Sequence, residues 1–208
     1  MSGAVVTRFV PGWFGKIPNL GDFASRRLSE EFIRRWDPWL QEGLASSRSE
    51  LGPSWRDAYL VAPIQRFWVD RNVLDHRAWA GLLMPSVDRV GRYFPLTIAQ
   101  PFPTLAAALA ARGWFAALDD AARRVLDVAY SADELDADLQ TLAALDGYEP
   151  DVADEQLAQA LLQRCPSLRS CSVWWRGQAA AGEEGFGFRC FAGLPPAAEF
   201  ASMLGVTS

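Results

Sequence analysis

The sequence predicts an α/β protein: a single-domain, three-layer α/β/α-type sandwich with a mixed sheet and a helical middle segment. Three observations carry this. Strand-like runs fall early in the 208 residues and return near the end, with helical periodicity between them. Neither strand group buries itself alone, so the two should share one sheet. Half the residues are hydrophobic and nine are Trp, enough for a substantial core and too apolar for disorder. We read residues 1–208 as one domain: a motif-rich part over 1–102, a mostly helical part over 103–165, and terminal strands with a helix over 166–208.

Ala4 to Val10 is β-branched and loosely alternating, a first strand, and Gly12–Gly15 is a turn or a second short strand. Gly15 to Phe23, GKIPNLGDF, is a loop by its Gly, Pro and Asn content. Helical spacing starts at Ala24, with Leu28, Phe32, Ile33, Trp36, Trp39, Leu40 and Leu44 recurring at three- and four-residue steps. Pro38 interrupts it. With Asp37 as a cap and Pro38 in the first turn, a kink or two short helices is expected. Tyr59 to Val69 is strand-like, Pro63 marking an edge or bulge. Ala80 to Met84 and Phe94 to Gln100 are further strands, so MPSVDRVGRYFP, Met84 to Pro95, joins two of them.

The next stretch is helical. Trp114, Phe115, Leu118, Ala121, Ala122, Val125, Leu126 and Ala129 share one face. Ser131-Ala-Asp-Glu134 has capping-box form, and the acidic start that includes Asp133, Asp136 and Asp138 suits the helix dipole. Asp151 to Arg164 is a third helix. Ser172–Trp175 and Gly187–Phe191 are strands, and AAAGEEG between them makes a hairpin. Pro195 to Leu204 is a terminal helix.

Net charge is −5 and uneven: 14 basic against 10 acidic residues to Arg112, then 6 against 15. That argues against a nucleic-acid binder, which needs a basic field across a face, and permits an acidic helical face for a protein partner. The absence of a signal-like start and of any long apolar run implies a soluble cytoplasmic protein without membrane insertion. Cys165, Cys171 and Cys190 fit no zinc spacing and read as buried free thiols, although Cys171 and Cys190 could neighbour one another across two strands.

Catalytic apparatus is hard to find. His76, the only histidine, sits in an expected surface turn or helix start. No serine has a nucleophile-elbow context, and Ser86 reads as a turn hydroxyl bonded to local backbone. Gly12-Trp-Phe-Gly15-Lys16 has the wrong spacing for a phosphate loop. Glu30-Glu31, Asp119-Asp120 and Glu183-Glu184 are adjacent pairs, which diverge on a helix or strand. No metal or cofactor is expected. Two loops stay unusual. In the first, Gly21 would supply a positive φ and Asp22 would cap the next helix. In the second, Asp88 and Arg92 are spaced to pair and Gly91 suits a left-handed bend. Lys16, Arg89 and Arg92 have no evident core task. Lys16, Asp22, Arg89 and Arg92 should lie together on one surface.

GKIPNLGDF, then Arg26-Arg27-Leu28, Phe32, Trp36-Asp-Pro-Trp39-Leu40, Tyr59 to Trp68, and MPSVDRVGRYFPL, in this order, resemble the TagF (ImpM) family of type VI secretion-associated proteins. The resemblance is strong to Phe102 and looser beyond; Pro38, between the two tryptophans, departs from the family pattern. It implies a cytoplasmic α/β protein that post-translationally represses assembly or firing of the secretion system, without catalysis, by binding a forkhead-associated scaffold protein. Fusion of some members to a protein phosphatase domain implies a link to a phosphatase pathway, though no such segment is visible here. The candidate partner contacts are Lys16, Asp22, Arg26, Asp88, Arg89, Arg92 and Tyr93, with Gly15, Pro18, Gly21, Pro85, Ser86, Gly91 and Pro95 shaping the loops. The competing reading is a hydrolase or phosphate-ester enzyme that uses Ser86, Asp88 and the nearby arginines.

Overall fold

A computed structural model describes residues 9–142, 149–165, 170–177 and 187–205. Seven strands form one sheet: β1 Gly12–Gly15, β2 Ala24–Arg26, β3 Gln65–Val69, β4 Trp79–Met84, β5 Leu96–Pro101, β6 Cys171–Trp175 and β7 Arg189–Ala192. Their order is β2-β1-β5-β4-β3-β6-β7. All six pairings are antiparallel, where the sequence reading had a mixed sheet. The loops from β3 to β4 and from β4 to β5 are too short for the crossover that a parallel pair requires. The first and last strand groups do share this sheet, and β6 and β7 pair as expected; the AAAGEEG connection lies outside the described residues.

Strand alternation divides the core in two. Trp13, Trp68, Ala80, Leu82, Met84, Leu96, Ile98, Val173 and Trp175 face one layer. That layer is built by α3 Leu105–Ala110, α4 Arg112–Arg124, α5 Ala132–Leu142 and α6 Val152–Arg164. Phe14, Phe67, Val69, Trp79, Leu83, Ala99 and Trp174 face the other, built by α1 Glu30–Leu51, α2 Trp55–Leu60 and α7 Phe200–Met203. A sheet with helices on both faces is the expected three-layer sandwich. Of the expected helix caps, Ser131 and Glu134 form their reciprocal pair at α5.

Several boundaries differ from the sequence reading. Ala24–Arg26 pairs with β1 instead of starting a helix, because Arg27 at φ 61° breaks helical geometry there. The cap of α1 is Ser29, whose hydroxyl accepts from Phe32 N at 3.2 Å, and not Asp22. Pro38 lies inside α1, which runs through it unbroken. Its ring and the Arg34 carbonyl, whose bond it forfeits, lie on the solvent side, a loss of about 3 kcal/mol. Five buried side chains, Phe32, Trp36, Trp39, Leu40 and Leu44, offset it at roughly 1.5–3 kcal/mol each. Tyr59 belongs to α2 and Pro63 to the link before β3, so Pro63 marks no bulge. The expected first strand lies mostly outside the described residues, and Phe9 and Val10 are not in a strand. The terminal helix is a 3-10 turn, Ala197–Glu199, followed by the short α7.

All three cysteines are free, Cys165 and Cys171 buried and Cys190 half-buried. Cys171 and Cys190 occupy neighbouring strands on one face but are offset, Cys171 standing opposite Ala192 and Cys190 opposite Val173.

Candidate functional site

The sheet register brings the two unusual loops together. Phe14 stands opposite Thr97 and Met84 opposite Leu96, so β1 and β4 end, and β5 begins, at one end of the sheet. Residues 16–23 leave β1 there and residues 85–95 link β4 to β5. Gly15 permits the approach: its φ is 137°, and a Cβ would sit 2.1 Å from Pro95 O.

The second loop is a small hairpin of its own. Val87 bridges to Tyr93, Phe94 N donates to Ser86 O at 3.1 Å, and Asp88 N donates to Arg92 O at 3.1 Å. Gly91 N closes the turn on Asp88 O at 2.9 Å, with the left-handed φ of 84° expected at Gly91. From below, the Tyr59 hydroxyl donates to Ser86 O at 2.9 Å and accepts from Ser86 N at 3.0 Å. The hydroxyl is pushed to a higher pKa mainly by burial, so it stays a donor. Tyr93 is half-buried against Trp55 and Tyr59.

The first loop docks on this hairpin. Arg89 N donates to Leu20 O at 3.0 Å, and Arg92 Nη2 to Gly21 O at 2.6 Å. The Asp88 carboxylate latches the two. Its Oδ1 accepts from Val90 N at 3.1 Å and Arg92 N at 2.8 Å. Its Oδ2 takes Arg92 Nε at 2.6 Å and Lys16 Nζ at 3.0 Å. Burial alone would raise the Asp88 pKa. The Arg92 backbone amide and the Lys16 and Arg92 cations outweigh it and hold the group well below the usual carboxylate range. Lys16 Nζ also lies 4.7 Å from the Phe23 ring, which packs on Phe14 and Phe94.

This geometry sorts the sequence candidates. The two loops meet as expected, but Lys16 and Asp88 are buried at 5% and 2% exposure and join the loops from inside instead of standing on the surface. Charge on a loop read as surface hid this, because the sequence cannot show that the two loops neutralise one another. Arg26 bonds Asp133 at 2.6 Å and lies 3.5 Å from Asp136, so it joins β2 to the acidic start of α5. Asp136 also takes Arg27 at 2.6 Å, and Asp138 takes Arg124 at 2.7 Å, so those acids serve more than the helix dipole. Gly21 does not have a positive φ. The exposed Asp22 accepts from Phe23 N at 2.8 Å. Pro18 and Pro95 are buried and Pro85 is half-buried along the loop base. Ser86 Oγ is buried and, among the described residues, has no hydrogen-bond partner; its backbone, not its hydroxyl, makes the local bonds. His76 lies before β4 and Ser86 after it, so about 17 Å of strand separates them.

What remains exposed is Asp22, Arg89 and Arg92, with two apolar residues that were not singled out, Phe23 and Val90. Phe23 closes the first motif and Val90 stands between the arginines of the second. An apolar residue at the tip of a polar turn was the available signal. Among the described residues, no group of three His, Cys, Asp or Glu side chains is placed to hold a metal ion, and no helix is long and apolar enough to cross a membrane.

The same loops fall within the stretch that identifies the chain. Residues 12–142 match the TagF N-terminal domain, described as type VI secretion system-associated. The crystal structure of PA0076 from Pseudomonas aeruginosa PAO1 superposes with a TM-score of 0.77 at 32% identity, covering 95% of this chain and 96% of that one. No curated protein sequence matches it. Fold and sequence together therefore define a type VI secretion-associated α/β protein. The chain belongs to the TagF family.

Proposed function

We propose that this protein is a cytoplasmic, non-enzymatic repressor of type VI secretion that binds a forkhead-associated scaffold protein of the same system. The observation that supports it is the exposed end of the two-loop unit. Phe23, Arg89, Val90 and Arg92 stand out from a base fixed by the Asp88 latch and by backbone bonds between the loops. Side chains held in place before binding lose less freedom on association, and Arg and aromatic residues dominate interface energetics. The hydrolase reading has less support. Both Asp88 oxygens are occupied by cations and amides, so the carboxylate is no base for Ser86, and His76 is at the far end of β4.

The test is calorimetric titration of the purified scaffold into the wild-type chain and into Arg89→Ala/Val90→Ser, which leaves the Asp88–Arg92 latch in place, with thermal melts of both. Binding that weakens at least ten-fold in the variant, with melting changed by no more than a few degrees, supports the reading. Absence of binding to the wild type refutes the partner. Unchanged binding in the variant refutes the site.

A further inference from the structure

The first loop has a second wall. Asn19 Nδ2 donates to Val128 O at 3.0 Å, across 109 residues of sequence. Val128 lies in the turn between α4 and α5, so residues 19–23 run between this turn and the tip of the second loop. The α4–α5 turn is itself well bonded: Leu126 N donates to Arg123 O at 3.1 Å, Asp127 N to Arg124 O at 3.0 Å, and Tyr130 N to Asp127 O at 2.9 Å. It nevertheless exposes two large apolar side chains, Leu126 at 50% and Val128 at 69%. Across the loop Val90 is 67% exposed, with Phe23 at 46%. Half of the large apolar side chains exposed among the described residues thus belong to three segments tied together by hydrogen bonds. Single exposed apolar residues are ordinary, but a bonded group of them marks an interaction surface.

The charge on this rim selects the occupant. Arg89 has no ion pair or side-chain hydrogen bond among the described residues, while Arg92 and Lys16 share the single carboxylate of Asp88. Asp22 is the acid beside them, and one of its oxygens already bonds Phe23 N. Positive charge is therefore in excess at the tip of the second loop, on a chain whose net charge is −5, while the α4–α5 turn carries one exposed acid, Asp127, between Leu126 and Val128. A nucleic acid or an anionic membrane would also meet Asp133 and Glu134, exposed at the start of α5 just beyond the turn, and would be repelled. A short polypeptide segment can avoid them.

We infer that the rim formed by Val90, Phe23, Leu126 and Val128 docks an acidic, apolar segment of a protein partner. Its carboxylates meet Arg89 and Arg92, and its apolar side chains cover the two walls. This deepens the binding-module reading above and rests on it, but it names the chemistry of the bound segment and adds the α4–α5 turn to the site.

The test pans a random sixteen-residue peptide library displayed on phage against the full chain. Peptides that combine Asp or Glu with large apolar residues are expected to be enriched. Synthetic copies should lose at least ten-fold in affinity to Arg89→Ala/Val90→Ser, and again to Leu126→Ser/Val128→Ser; all four positions are exposed, and circular dichroism checks that both variants fold. Selection of no peptide, selection without acidic enrichment, or equal binding to either double variant overturns the inference, as does Arg89-dependent pelleting of the chain with phosphatidylglycerol vesicles. The purified scaffold, tested on the same variants, separates the two proposals. Peptides that behave as expected while the scaffold fails to bind wild type sink the scaffold reading alone. A scaffold that binds wild type and both double variants equally sinks the rim alone.

Discussion

Gly15→Ala against Gly91→Ala tests whether the two-loop unit is held by close backbone approach or only by local turn geometry. Both glycines have a positive φ, 137° at Gly15 and 84° at Gly91, so each alanine carries conformational strain of about 1–2 kcal/mol. Their surroundings differ. Nothing lies within 4 Å of a Cβ at Gly91, whereas at Gly15 it would lie 2.1 Å from Pro95 O and 3.1 Å from Leu96 Cα, both backbone atoms of the partner segment. Relief means moving β1 and the start of β5 roughly 1 Å apart, and such overpacking costs a further 1–3 kcal/mol, the upper end applying where no flexible side chain can yield. The expected loss is about 1 kcal/mol for Gly91→Ala and about 4 kcal/mol for Gly15→Ala. At about 3 °C per kcal/mol for a domain of this size, that is about 3 °C against about 12 °C in Tm. Urea unfolding followed by Trp fluorescence gives both values. Equal losses, or a Gly15→Ala loss below about 1 kcal/mol, would refute the close-packed junction.

Three further outcomes follow from named contacts. Thr97→Val keeps the side-chain shape but removes the acceptor of the buried Trp36 Nε1, 2.8 Å away, so it should cost about 2 kcal/mol in urea unfolding; a loss under about 0.5 kcal/mol would mean that Trp36 has another acceptor. Asp88 has a folded pKa below its ordinary 3.8, so its contribution is fully present above pH 3.8 and is lost as pH falls through the folded value. Asp88→Asn should therefore be less stable at pH 7 and show a flatter decline below pH 4, and an unaltered acid profile would disprove the latch. Burial, with neighbouring cysteines, pushes Cys165 up to about 11 and Cys190 up to about 12 from 9.0, so native thiols at pH 8 should react with Ellman's reagent far more slowly than in guanidinium. Their stabilising contribution is fully present below pH 9.0 and is lost as pH rises through 11 to 12, so alkaline melts should fall over that range.

The layer architecture could be read from the sequence because burial repeats along the chain. The continuous apolar run in Ala80–Met84 reports a strand covered on both faces, and helical spacing in Phe32–Leu44 reports one inward face, whatever the partner element is. Strand direction could not, since it depends on which edge each strand joins, and side-chain pattern is blind to that. Pro38 misled because local propensity is weaker than the burial of five large side chains around it. At the site, the sequence selected both loops and the Asp88–Arg92 pair, whose partners are four residues apart. It missed what depends on long separations: Lys16 with Asp88, Asn19 with Val128, Tyr59 with Ser86. The first of these contacts makes Lys16 and Asp88, expected at a partner surface, fold-holding groups.

The division has a consequence for how mutations in this family are read. Lys16, Asp88 and Tyr59 set the loop conformation from inside, and Arg89 and Val90 are exposed on its outside. Under the proposed function, a variant at Asp88 should lose binding by releasing the loops, with a lower Tm and faster cleavage of residues 16–23 or 85–95 by protease. A variant at Arg89 should lose binding with stability intact, because exposed side chains away from such contacts change stability by only about 0.5 kcal/mol. Loss of function alone therefore cannot locate the interface. Only residues whose replacement separates affinity from Tm do so, and that behaviour is expected of the exposed Arg89, Val90, Leu126 and Val128 and not of the buried Lys16 and Asp88.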